Sequence, residues 1–246
     1  MKHYGFAKTA NVNNFGLINY FKDFLSLFLP DTCVACGNNL LHNEKYICTN
    51  CLIDLPKTNF SNDNENPVAK IFWGRAYIQF ASSFLYFQKG SRVQKIMHSF
   101  KYKGQKEIGI LLGQMFAEEL KNIDIIKTID YIVPVPLYWK KLKKRGYNQS
   151  EYFALGLSKI LEIPVASNAL IRIYDSDTQT RKSKYQRWEN VSNIFVLENP
   201  AKFFSKHVLI VDDVITTGAT LEACANEFLK YKENKVSIAT IAMANF

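Results

Sequence analysis

The chain has 246 residues, with 31 Lys and Arg against 22 Asp and Glu for a net charge of +9, and 48% of it is hydrophobic. That is a globular composition, long enough for one large domain or a domain plus a small module. No apolar run approaches the about 18 to 20 residues that span a bilayer. The N-terminal residues also lack the apolar stretch and cleavage site of a secretory signal, so the expected location is the cytoplasm. Basic residues cluster at 89–106, 140–145 and 181–187, which suits polyphosphate ligands or a nucleic-acid backbone; a plain solvated surface is the competing reading.

In chain order, residues 15–29 place Leu17, Tyr20, Phe21, Phe24, Leu25 and Phe28 at helical spacing, and Pro30 ends the pattern. The polar side carries only Lys22 and Asp23, too few cations for an anionic membrane, so this amphipathic helix (1–30) is expected to dock on the module that follows. Cys33 and Cys36 come next with Gly37 for a tight turn, and then, beyond residues 37–47, Cys48 and Cys51. Two such knuckles put four thiolates where a tetrahedral Zn²⁺ wants them. Disulfides are disfavoured in a reducing cytoplasm, and redox CxxC motifs do not come in matched pairs. A small zinc ribbon is expected over 31–56. Residues 57–69, polar and rich in Asn, read as a linker before a larger domain at 70–246.

Residues 76–87 alternate as a strand or hairpin. Two helical stretches follow, at 91–103 with Val93, Ile96, Met97 and Phe100 on one face, and at 107–122 with Ile108, Leu111, Leu112, Met115, Phe116 and Leu120. Between them, Lys101, Tyr102, Lys103 and Gly104 are either a helix end or part of a site edge. Residues 130–136 form a second buried strand that stops at two prolines and feeds a basic loop, 139–149; a strand running into such a loop is a pyrophosphate site in outline. A strand start at Ile163, Pro164 and Val165 precedes a polar, basic and aromatic stretch, 171–195, read either as a flap over a ligand or as an ordered surface loop.

The most informative stretch begins at Val208, Leu209, Ile210 and Val211, a run that suits a strand covered on both faces. Asp212 and Asp213 then fall at its carboxyl end, where open α/β sheets bind ligands. Thr216, Thr217, Gly218, Ala219 and Thr220 lead into a helix over 221–231. Small residues, hydroxyls and a helix N-terminus make an anion cradle. Two carboxylates beside it would repel a phosphate unless they bind ribose hydroxyls or a divalent metal carried by the ligand, so a phosphorylated sugar fits both halves. Cys224 lies on the apolar side of that helix and reads as a small buried hydrophobe. Residues 235–244 give a last strand.

The stretch 208–220 resembles the phosphoribosyl-pyrophosphate (PRPP) motif of type I phosphoribosyltransferases. That resemblance implies an α/β fold, a mainly parallel sheet flanked by helices, with the ribbon as an N-terminal addition. It also implies that Asp212 and Asp213 contact the ribose hydroxyls, that 216–220 holds the 5′-phosphate, and that Mg²⁺ accompanies PRPP. Val135, Pro136 and Leu137 then correspond to the family's pyrophosphate loop, often built with an unusual peptide bond, and Arg145 is the residue expected to reach phosphate. The sequence VPVPL before RGYNQ, the later Arg172, the segment 179–190, the VDDVITTGAT loop and the paired CxxC module together resemble the ComF family of competence-associated, phosphoribosyltransferase-like proteins; RGYNQ stands where RGFNQ is commoner. By that resemblance the expected role lies in DNA uptake, with single-stranded DNA and a competence helicase or other DNA-processing protein as partners. Gln179, Arg181, Arg187 and Asn190 are further candidates to touch ligand. Catalysis, PRPP sensing, an adaptor role and nucleotide salvage all remain open.

Overall fold

The computed structural model describes residues 31–173 and 194–244. The expectations for residues 1–30, and for Gln179, Arg181, Arg187 and Asn190, therefore lie outside the described residues. The chain divides into two compact units, 1–52 and 53–246. In the first, isolated antiparallel bridges join Thr32 to Asn39 and Lys45 to Ile47, and a short helix α1 (Thr49–Ile53) begins just after Cys48. Among the described residues no helix is long and apolar enough to cross a membrane.

The second unit is an α/β layer structure. Its elements are α2 (Pro67–Lys70), β1 (Phe80–Phe87), α3 (Arg92–Tyr102), α4 (Glu107–Leu120), β2 (Tyr131–Pro134), α5 (Trp139–Arg145), α6 (Gln149–Leu161), β3 (Leu170–Arg172), β4 (Phe195–Leu197), β5 (His207–Ile215), α7 (Ala219–Leu229) and β6 (Lys235–Ala244). β1, β6, β5 and β2 lie side by side in that order, and every pairing is parallel. Helical crossovers cover both faces of such a sheet, which is why Val208, Leu209, Ile210 and Val211 run apolar without alternation and are all fully buried. Val165 adds a single parallel bridge to Ile132, so the strand expected from Ile163 is reduced to one rung at the sheet edge. β3 and β4 form a separate antiparallel ribbon.

Three expectations change. Residues 57–69 belong to the second unit and do not stand between the two. Thr58 N–H donates to the Phe84 carbonyl at 3.0 Å, and Lys57 bridges to Leu85, so this segment lies along β1. Asn66 is buried; its carboxamide oxygen accepts from Val68 and Ala69 N–H to cap α2, while its nitrogen donates to the Ala81 carbonyl at 2.8 Å. The polarity that suggested a linker is used internally. Second, residues 139–145 are helical rather than looped, because Lys, Leu and Arg are good helix formers and nothing breaks them before Gly146, which ends the helix at φ 81°. Third, α6 is a helix that was not among the expected elements. It crosses α4 so closely that a Cβ on Gly156 would lie 2.3 Å from the Ile110 carbonyl oxygen and 2.9 Å from the Gly113 Cα. Two glycines facing each other permit the approach that positions the start of α6.

Candidate functional site

The order β5–β2 brings both sequence-predicted loops to one sheet edge. Val135 N–H donates to the Val211 carbonyl at 2.9 Å, so Val135, Pro136 and Leu137 leave the sheet beside Asp212 and Asp213. All peptide bonds among the described residues are trans, the low-energy form, so the unusual peptide bond implied by the resemblance is not found there. From Ile215 the chain turns through Thr216, Thr217 and Gly218 into α7, with Gly218 as N-cap at φ 74°. Asp212 and residues 214–221 line one concavity. The free N–H groups of an 11-residue helix open onto it, a favourable end for an anion.

The acidic pair is already engaged. Ser150 Oγ donates to Asp212 Oδ1 at 2.8 Å, and Asp213 N–H donates to the same oxygen at 2.8 Å. Lys101 Nζ lies 2.9 Å from Asp213 Oδ2, with both side chains mostly covered. Burial, and then the neighbouring Asp213 charge, push the Asp212 carboxyl up to about 7, against the two hydrogen bonds and Lys101, which favour the ionised form. The residues after α5 knit this edge together. Tyr147 OH donates to the Phe100 carbonyl, and Asn148 Oδ1 caps α6 by accepting from Ser150 N–H at 3.2 Å. Asn148 Nδ2 donates to the Val135 carbonyl at 3.0 Å. The RGYNQS stretch thus ties α3, the β2 exit and Asp212 into one support.

Arg145 Nη1 donates to Gln149 Oε1 at 2.7 Å, and its guanidinium sits 5.4 Å from the Tyr102 ring centre. It caps the RGYNQ turn and extends from the C-terminal end of α5. Sequence pattern alone does not single out Ser150 or Asn148 as parts of the site. Lys101 falls in the KYKG run, read from the sequence as either a helix end or part of a site edge, and Asn148 is an N-cap residue type just before an apolar periodic stretch. Cys224 is fully buried, as expected for a small hydrophobe.

In the first unit the thiol sulfurs of Cys33, Cys36, Cys48 and Cys51 all lie within 4.8 Å of one another, with Cys36 and Cys48 at 3.8 Å. A tetrahedron with Zn–S bonds of about 2.3 Å has edges of about 3.8 Å, so the donor set fits zinc. Burial opposes ionisation of Cys33, but N–H groups of Cys48, Cys36 and Ala35 outweigh it and bring that thiol down to about 6. The same burial, beside three neighbouring sulfurs, pushes Cys51 up. A cation among the four would relieve that conflict.

Residues 148–245 match the family model described as phosphoribosyl transferase domain, which together with the parallel sheet defines the second unit as a type I phosphoribosyltransferase fold. Competence protein F of Haemophilus influenzae is 31% identical over 153 residues, 61% of this chain and 67% of that protein. The chain belongs to the ComF (competence protein F) family. DNA utilization protein YhgH of Escherichia coli K12 is 33% identical over 138 residues, covering 55% of this chain and 60% of the relative. Competence protein ComFC of Bacillus subtilis is 26% identical over 220 residues, 88% of this chain and 87% of the relative. The chain thus spans about two thirds or less of the first two relatives' length.

Proposed function

We propose that the edge formed by β5, β2 and α7 binds PRPP and that the protein works in the cytoplasm on DNA taken up during natural transformation. The observation that carries this is the meeting of the acidic pair, the 216–220 turn and the β2 exit on one edge, with Val135 hydrogen-bonded to Val211. Asp212 and Asp213 accept from the ribose hydroxyls, the N–H groups and hydroxyls of 216–220 hold the 5′-phosphate, and Val135, Pro136 and Leu137 with Arg145 face the pyrophosphate. Mg²⁺ arriving with PRPP offsets the charge of its phosphates. In catalysis the bond from ribose C1 to the pyrophosphate oxygen breaks, the oxygen keeps the electron pair, and a nucleophile's lone pair forms the new bond to C1. The relatives' names, competence protein F and DNA utilization protein, support the DNA context.

A direct-binding role for single-stranded DNA has its own support. Trp139 is 58% exposed and flanked by Lys140, and α5 carries Lys143, Lys144 and Arg145 in its last turn. A competence helicase or other DNA-processing protein is the macromolecular partner this role implies. Pyrophosphate release, followed with a panel of bases, amines and ammonia with and without single-stranded DNA, separates the roles. Release with any acceptor establishes transfer; tight PRPP binding without release establishes sensing; neither binding nor release ends the PRPP reading.

A further inference from the structure

Arg75 follows α2 and precedes β1, in a stretch that carries no sequence motif. Its guanidinium crosses to the turn that starts α7. Nη1 donates to the Thr217 carbonyl at 2.8 Å and to the Ile71 carbonyl at 3.1 Å, while Nη2 pairs with the Glu222 carboxylate. The same stretch supports the turn sterically: a Cβ on Gly218 would lie 2.5 Å from Ile71 Cγ2 and 3.3 Å from Phe72 Cε1. Gly218 is therefore required twice, by its positive φ and by this close approach.

These interactions act on the two features an anion cradle depends on. A peptide unit is planar and trans, so its carbonyl and the next N–H point in opposite directions. Holding the Thr217 carbonyl on the guanidinium therefore turns the Gly218 N–H away from Arg75. Glu222 stands in the first turn of α7, where its charge opposes any phosphate brought to that helix end. The ion pair with Arg75 cancels much of that charge at the point where it would do most harm.

We infer that Arg75 is a positioning residue for the phosphate turn: it fixes the Thr217–Gly218 peptide and neutralises Glu222, so the turn is ready for a sugar 5′-phosphate. This rests on the PRPP reading and specifies which end of the ligand Arg75 governs. Its effect should appear equally with PRPP and with ribose 5-phosphate, which share that group.

The test is calorimetric titration of PRPP with Mg²⁺, and of ribose 5-phosphate, into the full chain and its variants, with melting temperature recorded without ligand. Arg75→Gln should weaken both ligands by the same factor, about tenfold, the size of one charge-assisted hydrogen bond. Arg75→Lys should recover part of the loss. Adding Glu222→Gln to Arg75→Gln should recover the electrostatic share, which a folding defect would not do. Arg145→Gln should weaken PRPP and leave ribose 5-phosphate unchanged. Unchanged affinities in Arg75→Gln, beside a wild type that binds both ligands, would overturn the inference and leave the PRPP reading intact. So would a loss tracking a lowered melting temperature and not relieved by Glu222→Gln. A wild type that binds neither ligand overturns both.

Discussion

The cysteine cluster and the β5 edge handle concentrated negative charge in opposite ways. The cluster gathers four sulfurs within 4.8 Å on one short turn and the start of α1 and offers them little but N–H donors, so its anions need a cation from outside. The β5 edge carries its own compensation: Lys101 for Asp213, Ser150 for Asp212 and Arg75 for Glu222. The first site should exist only when filled, and the second should stand ready before its ligand arrives.

The sharpest way to break that contrast is to remove metal. Structural zinc contributes about 10 kcal/mol or more in small ribbons. Strong chelation should raise amide exchange throughout 31–52 and leave the exchange of β5 and β6 as it was. Equal exposure of both units, or no zinc in freshly purified reduced protein, would erase the distinction.

Next in size is the acidic pair. PRPP at a hundred times its Kd stabilises the folded chain by about 2.7 kcal/mol, and Asp212→Asn with Asp213→Asn should remove the resulting shift in melting temperature without unfolding the apo protein.

How far each site could be read from sequence follows the same division. The cysteines and the 208–220 stretch were legible because each packs its chemistry into a few consecutive residues. The supports were not. Arg75 meets Thr217 across 142 residues and Ser150 meets Asp212 across 62, and no local pattern announces such pairs. Asn66 misled for the opposite reason: its polarity suggested solvent, although it serves a buried cap and a bond to β1. α5 was hidden by its charge, since a run of Lys reads as a loop until its helix propensity is weighed.

Removing one support should sharpen the comparison at smaller scale. Asp212 titrates at about 7 in the folded chain against 3.8 for a free carboxyl. The ionised carboxylate is the stronger acceptor for ribose hydroxyls, so PRPP affinity should rise with pH through neutrality. The apo protein should lose the corresponding stability as pH rises from about 4 to 7, because the support of a raised carboxyl is complete only below its unfolded value and is lost as pH climbs to its folded one. Ser150→Ala deletes a bond to the ionised form, worth about 1 kcal/mol. Its binding midpoint should therefore move up relative to wild type, a difference in which the ligand's own titration cancels. An unmoved midpoint would detach Ser150 from Asp212.

The smallest effect expected is on nucleic acid. Reversing Lys141, Lys143 and Lys144 to Glu should reduce the slope of log affinity for single-stranded DNA against log salt by about 2, at about 0.7 for each phosphate no longer neutralised. An unchanged slope would return α5 to ordinary surface.

Whether the β5 edge is a PRPP site built around its acidic pair is tested most directly by calorimetric titration of PRPP with Mg²⁺ into wild type and the Asp212→Asn, Asp213→Asn double variant. Saturable one-to-one binding by wild type, with at least about a hundredfold loss in the double variant at an unchanged apo melting temperature, is the expected result; equal affinity in the two proteins, or no binding by either, would contradict it.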